Sequence, residues 1–192
     1  MIDHFRLFAP IYDRVFPAPT KDELQHRYHL PASGWLLDAG GGTGRISRQL
    51  TPLIDNIVTA DISQPMLKQG AVSPTLVATQ ASVTYLPFPN DTFSRIIVVD
   101  AFHHFQKQQQ ALRELVRVLA PAGRLIIEEP DISLKIVKLV ALAETIALMR
   151  SQFHPAPAIE AMLQQHHLKT ETHNGDRFSF RVTGTKPNVS ST

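Results

Sequence analysis

Cysteine is absent from this 192-residue chain. Disulfides, thiol nucleophiles and Cys-ligated zinc are therefore excluded, and the composition fits a reducing compartment. Basic runs are missing as well. The 19 Lys and Arg residues are scattered against 17 Asp and Glu, for a formal net charge of +2, so nothing marks a nucleic-acid stripe. No stretch reaches the roughly 18 uninterrupted apolar residues of a membrane span. The nearest candidate, Ile136 to Met149, is broken by Lys138 and Glu144. The N-terminus, MIDHFRLFAP, carries Asp3, His4 and Arg6 where a secretory signal would have its apolar core. Internal repeats and long low-complexity segments are lacking. What remains is the profile of one globular domain, 43% apolar and 19% charged. A soluble, cytoplasmic chain is expected.

Short apolar runs recur through the middle of the chain: WLLDA (Trp35 to Ala39), NIVTAD (Asn56 to Asp61), TLVAT (Thr75 to Thr79), RIIVVD (Arg95 to Asp100) and GRLIIEE (Gly123 to Glu129). Near-continuous apolar runs suit parallel strands buried on both faces. Helical patterns lie between them, over Arg45 to Leu53, Gln64 to Gly70 and Gln108 to Leu119. In the last, Leu112, Leu115, Val116 and Leu119 share one face. Strand–helix alternation with short links predicts a parallel α/β sheet with right-handed crossovers. The C-terminus differs. Asn174-Gly175 signals a two-residue hairpin, and Phe178, Phe180 and Val182 alternate with polar residues after it. Two further helices are expected over Asp131 to Arg150 and Pro157 to His167, and a helical extension over the first 30 residues.

Four glycines stand together in LLDAGGGTGRIS (Leu36 to Ser47), after the first strand and ahead of a helix. That is the cofactor position of an open α/β sheet. A dinucleotide fingerprint, G-x-G-x-x-G, fails because Arg45 stands where the third glycine would fall, and no Gly-Lys-Ser/Thr follows as a phosphate loop requires. What fits is G-x-G-x-G on Gly40, Gly42 and Gly44.

Here the chain resembles the class I S-adenosylmethionine-dependent methyltransferases, in particular the small-molecule branch of the ubiquinone/menaquinone biosynthesis enzymes. Four segments carry the resemblance in order: LLDAGGGTG, VTADISQPML, YLPFPNDTFSRIIVVDAFHHF and ALRELVRVLAPAGRLIIEE. It implies a Rossmann-like, doubly wound, mostly parallel seven-stranded sheet ending in an antiparallel hairpin. It also implies S-adenosylmethionine as cofactor, with S-adenosylhomocysteine as product. Gly40, Gly42 and Gly44 would wrap the methionine portion, and the helix N-terminus beyond them would favour its carboxylate. Asp38 would receive the ammonium directly or through water. Asp61 would hold the ribose hydroxyls, although alone it reads equally as a strand-end or helix-cap aspartate. Ile62, Met66, Val83 and Asp100 would line the pocket, and Tyr12 would close over it or anchor the N-terminal helix. Ser82 stands where many relatives place an acidic residue for the adenine amine, and a neutral hydroxyl is a weaker acceptor. The expected organisation is one domain, 1–192: a helical extension or lid (1–30), a cofactor core (31–130), helices plus hairpin (131–187) and a tail (188–192).

Methyl transfer needs a base only if the acceptor must lose a proton. His103 and His104, past the fourth strand, are the base candidates, since imidazole titrates near neutrality. Each reads equally as a core histidine, a helix cap or a residue shaping the pocket wall. No metal is expected. His166 and His167 are adjacent on a helix and diverge by about 100°, and the His26/His29 spacing lacks an accompanying signature. The acceptor is expected to be a small molecule, apolar or aromatic. A nucleic-acid substrate is disfavoured because DAFHH replaces the Asn/Asp-Pro-Pro-aromatic signature of amine-methylating nucleic-acid enzymes. Two alternatives stay open: a non-catalytic S-adenosylmethionine-binding protein and an NAD-dependent dehydrogenase.

Overall fold

The computed structural model describes residues 20–30, 32–70, 75–134, 151–174 and 178–188. Tyr12 and most of the helix expected over Asp131 to Arg150 lie outside the described residues.

Helix α1 (Lys21–Tyr28) starts where Thr20-x-x-Glu23 permits a capping box. Thr20 Oγ1 accepts the Glu23 amide at 3.3 Å, and Glu23 Oε2 accepts the Thr20 amide at 2.6 Å. Strand β1 (Trp35–Ala39) leads through the glycines into α2 (Arg45–Leu50). Strand β2 (Asn56–Asp61), helix α3 (Gln64–Gln69) and strand β3 (Leu76–Gln80) follow. Then come β4 (Phe93–Val99), a 3₁₀ turn (Phe102–His104), α4 (Gln108–Val118) and β5 (Leu119–Pro130). The last described elements are α5 (Ala156–Gln165), β6 (Lys169–Asn174) and β7 (Ser179–Thr185).

The strands form a single seven-stranded sheet in the order β3-β2-β1-β4-β5-β7-β6. Strands β1 to β5 pair in parallel, and β7 runs antiparallel to both β5 and β6. Between β2 and β4 the winding reverses about β1, so the loops leaving its carboxyl end diverge and open a crevice there.

Consecutive apolar residues on one strand serve opposite faces, because side chains alternate along a strand. Leu37, Ile96 and Ile127 join α4 and α5 in one core layer. Leu36, Ile97 and Ile126 join Leu24, Tyr28, Ile46 and Leu50 in the other. This double burial is why these strands read as unbroken apolar runs. Strand β3 is at the edge and mostly exposed, which accounts for its weaker pattern.

Several boundaries differ from expectation. Helix α2 stops at Leu50: Thr51 still has helical φ −53° and ψ −31°, but Pro52 has no amide to continue the hydrogen-bond ladder. Strand β4 starts earlier, at Phe93, and β5 starts at Leu119, directly off α4. Phe93 pairs Leu119, then the register shifts to Arg95 with Arg124, and Ala122 in the detour takes a left-handed φ of 58°. Asn174, expected in the turn of the hairpin, is still paired in β6, opposite Phe180, and Gly175 lies outside the described residues. Asp131 to Leu134 forms a turn in which the Leu134 amide reaches the Asp131 carbonyl at 3.1 Å.

Candidate functional site

The glycine loop leans on β2, with the Gly40 amide donating to the Ala60 carbonyl at 2.7 Å. Gly40, Gly42 and Gly44 all adopt left-handed φ, at 75°, 55° and 69°. This is the backbone reason for the G-x-G-x-G spacing. The closest approach falls on the glycine outside that spacing. A Cβ on Gly41 would lie 2.6 Å from Asp38 Cγ and 2.7 Å from Thr59 Cγ2.

Asp38 sits beneath the loop, 2% exposed. Its Oδ2 accepts the Ser47 hydroxyl at 2.6 Å, and Ser47 Oγ accepts the Thr59 hydroxyl at 2.8 Å. Burial raises the Asp38 carboxyl to about 6, opposed by the Ser47 hydrogen bond and reinforced by the nearby Asp61 charge. Asp38 therefore fastens α2 and β2 under the loop.

Asp61 closes β2 half-exposed. Its Oδ2 accepts the Gly42 amide at 2.9 Å and its Oδ1 accepts the Ser63 amide at 2.7 Å. Ile62 beside it is 73% exposed, an apolar side chain presented at the crevice lip. Met66 on α3 faces the loop, its Cε 3.1 Å from where a Gly42 Cβ would stand.

Ser82 and Val83 occupy a turn beyond β3, in which Ser82 bridges to Tyr85. Ser82 Oγ accepts the Thr84 amide at 3.3 Å and is 2.8 Å from the Thr84 hydroxyl. The segment after it is held by two residues of α4, Glu114 and Arg117. Glu114 accepts the Leu86 amide at 2.9 Å. Arg117 donates to the carbonyls of Leu86 and Phe88, at 2.9 and 2.8 Å, while pairing with Glu114. Their i, i+3 spacing on α4 was the available signal.

At the carboxyl end of β4, Asp100 takes a left-handed φ of 51°, and its amide donates to the Glu128 carbonyl at 3.0 Å. The 3₁₀ turn then buries Phe102 and His103. His103 is 4% exposed; its Nδ1 lies 2.6 Å from Glu129 Oε2, and its ring stacks on Phe153 at 4.3 Å. His104 Nδ1 lies 3.2 Å from Ser151 Oγ. Burial, with His103 adjacent, lowers the His104 imidazole to about 4.

Strand alternation sends the two glutamates ending β5 to opposite faces. Glu128 meets Arg27 at 3.2 Å and the Tyr28 hydroxyl at 3.5 Å on α1, whereas Glu129 meets the 3₁₀ turn. Among the described residues, no cluster of three or more His, Asp or Glu could hold a metal ion, and no helix is long and apolar enough to cross a membrane.

The sheet order, the glycine loop after β1 and the aspartate closing β2 are arranged as expected for the fold of a class I S-adenosylmethionine-dependent methyltransferase domain. Residues 37–127 match the family model of a methyltransferase domain. In sequence the chain resembles the ubiquinone/menaquinone biosynthesis C-methyltransferases. It is 35% identical over 121 residues to that of Citrobacter koseri, covering 55% of this chain and 48% of the relative. It is likewise 35% identical over 104 residues to that of Saccharophagus degradans, covering 49% and 42%. The chain thus spans about half the length of the curated relatives it matches. The YcgJ protein of Bacillus subtilis superposes with a TM-score of 0.73 at 18% identity, over 88% of this chain and 100% of that one. An S-adenosylmethionine-dependent methyltransferase from Aquifex aeolicus superposes at 0.72 with 16% identity, over 94% and 95%. These two likenesses establish the fold.

The described residues fit S-adenosylmethionine, the cofactor of the methyltransferases that the chain resembles. Each Asp61 oxygen has accepted one amide and keeps a further lone pair for a hydroxyl. The loop backbone at Gly42 is bare where a side chain would press on Met66.

Proposed function

We propose that the chain, as one domain, transfers a methyl group from S-adenosylmethionine to a small apolar or aromatic molecule. The observation that carries this reading is the placement of Asp61. A half-exposed carboxylate is hydrogen-bonded to the glycine loop at the switch point of the sheet.

When bound, S-adenosylmethionine supplies an electrophilic sulfonium methyl for in-line displacement. The chain supplies placement. In this reading Asp61 receives the ribose hydroxyls, and Gly40, Gly42 and Gly44 give backbone access to the methionine portion. Ile62 and Met66 cover the apolar edge, Ser82 and Val83 meet the adenine, and Asp100 lines the methionine end. Asp38 acts from below, by holding the loop.

The acceptor would enter over the carboxyl ends of β4 and β5, where the half-buried Phe153 ring lies on the His103 imidazole above the buried Phe102 and Phe105. The curated relatives are named for quinone biosynthesis, so a hydroquinone ring is the first acceptor to try. His104, held neutral by burial, and His103, held by Glu129, fit a wall of that pocket better than a proton carrier exchanging with solvent.

The test is a parallel calorimetric titration with S-adenosylmethionine, S-adenosylhomocysteine and NAD, followed by methyl transfer to substituted hydroquinones and phenols. Binding of the two sulfur nucleosides, no binding of NAD and turnover on an aromatic acceptor are expected. NAD binding alone would overturn the reading.

A further inference from the structure

We infer that Glu129 and His103 form a buried latch that bolts residues 151–154 to the turn after β4. The latch thereby sets the wall of the acceptor end, a consequence that rests on the function proposed above. Glu129, 2% exposed, is its anchor. One carboxylate oxygen accepts the Phe102 amide at 2.9 Å, and the other meets His103 Nδ1 at 2.6 Å. Backbone and side chain of the 3₁₀ turn are thus held by a single group on the neighbouring strand.

The turn in turn grips the later segment. The Gln152 amide donates to the His103 carbonyl at 2.7 Å, and the Phe153 ring lies on the His103 imidazole with 13° between their planes. Ser151 meets His104. Gln108, 6% exposed, closes the arrangement. Its amide nitrogen donates to the carbonyls of Phe102 and Gln152 at 3.1 and 3.0 Å, and its oxygen is 2.7 Å from His154 Nε2. Four successive residues, 151 to 154, therefore each contact residues 102 to 108. A carboxylate oxygen 2.6 Å from Nδ1 fixes the ring's rotation and favours the tautomer with the proton on Nδ1. The rotation is what presents a flat face to Phe153. Glu129 is in this sense a positioning residue, acting through His103.

The latch is tested on the full chain by two variants and two readouts. Long-range proton–nitrogen spectra of ¹⁵N-histidine protein report which His103 nitrogen carries the proton, and hydrogen exchange reports the Gln152 amide. In the wild type Nδ1 is expected to be protonated; a bare Nδ1 overturns the latch. Glu129→Leu removes both acceptor oxygens and leaves the Phe102 amide and His103 Nδ1 without them. The Gln152 amide is then expected to exchange about tenfold faster, with β1 and β2 protected as before. Unchanged Gln152 exchange in folded Glu129→Leu overturns the latch. If that variant does not fold, Phe153→Ala decides: it removes only the stacked ring, and a similar rise supports the latch while no rise overturns it. Titration with S-adenosylhomocysteine runs alongside. A wild type that fails to bind it counts against the proposed function and leaves the exchange and tautomer results standing.

Discussion

The Asp61 carboxylate accepts the Gly42 amide at 2.9 Å, which ties the end of β2 to the loop that ends β1. One residue thus shapes the loop and faces the crevice. Asp61→Ala removes both roles while leaving the core untouched, because Asp61 is half-exposed. A charge-assisted hydrogen bond contributes about 1.5–3 kcal/mol, so the S-adenosylhomocysteine Kd is expected to rise about 10–100-fold. Asp61→Asn keeps one acceptor and should lose less. Calorimetry with a parallel thermal melt checks this; a wild-type Kd in Asp61→Ala would remove Asp61 from the cofactor site.

The glycines separate into two kinds of requirement. Gly41→Ala drives a Cβ to 2.6 Å from the pinned Asp38 carboxyl, whereas a Cβ on Gly44 meets nothing closer than 3.5 Å. Gly44→Ala should therefore cost about 1 kcal/mol, through its left-handed φ alone. Gly41→Ala should cost about 1–3 kcal/mol, through overpacking. Gly42→Val should cost more than Gly44→Ala, because a β-branched residue is strained at a φ of 55° even where the flexible tip of Met66 can yield, and should abolish measurable S-adenosylhomocysteine binding. Denaturant melts and calorimetry on the three variants give the ordering.

The parts of the fold legible in the sequence are those set by local periodicity. Strands β1 and β2 and helix α4 fall almost where their apolar spacing puts them. The glycine loop, Asp61 and the two histidines were also legible, because their spacing is a short-range pattern. What escaped depends on partners distant in the chain. Gln108 lies in a polar stretch, Gln106 to Gln110, that reads as solvated, yet it is buried against Phe102 and Gln152. Glu129 reads as the polar end of a strand, and only strand alternation together with the turn after β4 gives it His103. The tie from Arg117 to Leu86 and Phe88 spans about thirty residues and leaves no local trace beyond the Glu114 spacing.

Asp38 makes stability pH-dependent in a defined direction. Burial lifts its folded carboxyl to about 6, above the 3.8 of an unburied aspartate. The native state therefore keeps a proton that the unfolded chain has released. Between about pH 4 and 6 the unfolded state binds fewer protons, so this group's contribution to stability falls as pH rises and levels off above 6. Asp38→Asn keeps an acceptor for Ser47 and has nothing to titrate. The stability of wild type relative to Asp38→Asn should drop by on the order of 1–3 kcal/mol between pH 4.5 and 7.5, measured by urea melts without cofactor. A constant difference would show that Asp38 is not desolvated as its burial implies.

Arg27 and Glu128 test how α1 is held to the sheet. Their side chains are 11% and 8% exposed and meet at 3.2 Å, so each charge has lost most of its water. Burying such a pair gives little net stability, but removing one member leaves the other charge poorly solvated. Arg27→Met should therefore destabilise by about 3–5 kcal/mol. Glu128→Gln added to it removes the stranded charge while keeping an acceptor for the Tyr28 hydroxyl, 3.5 Å away, and should recover part of the loss. The double-mutant cycle by urea melts reads the coupling directly. Additive losses would mean that the helix is held by Leu24 and Tyr28 packing alone.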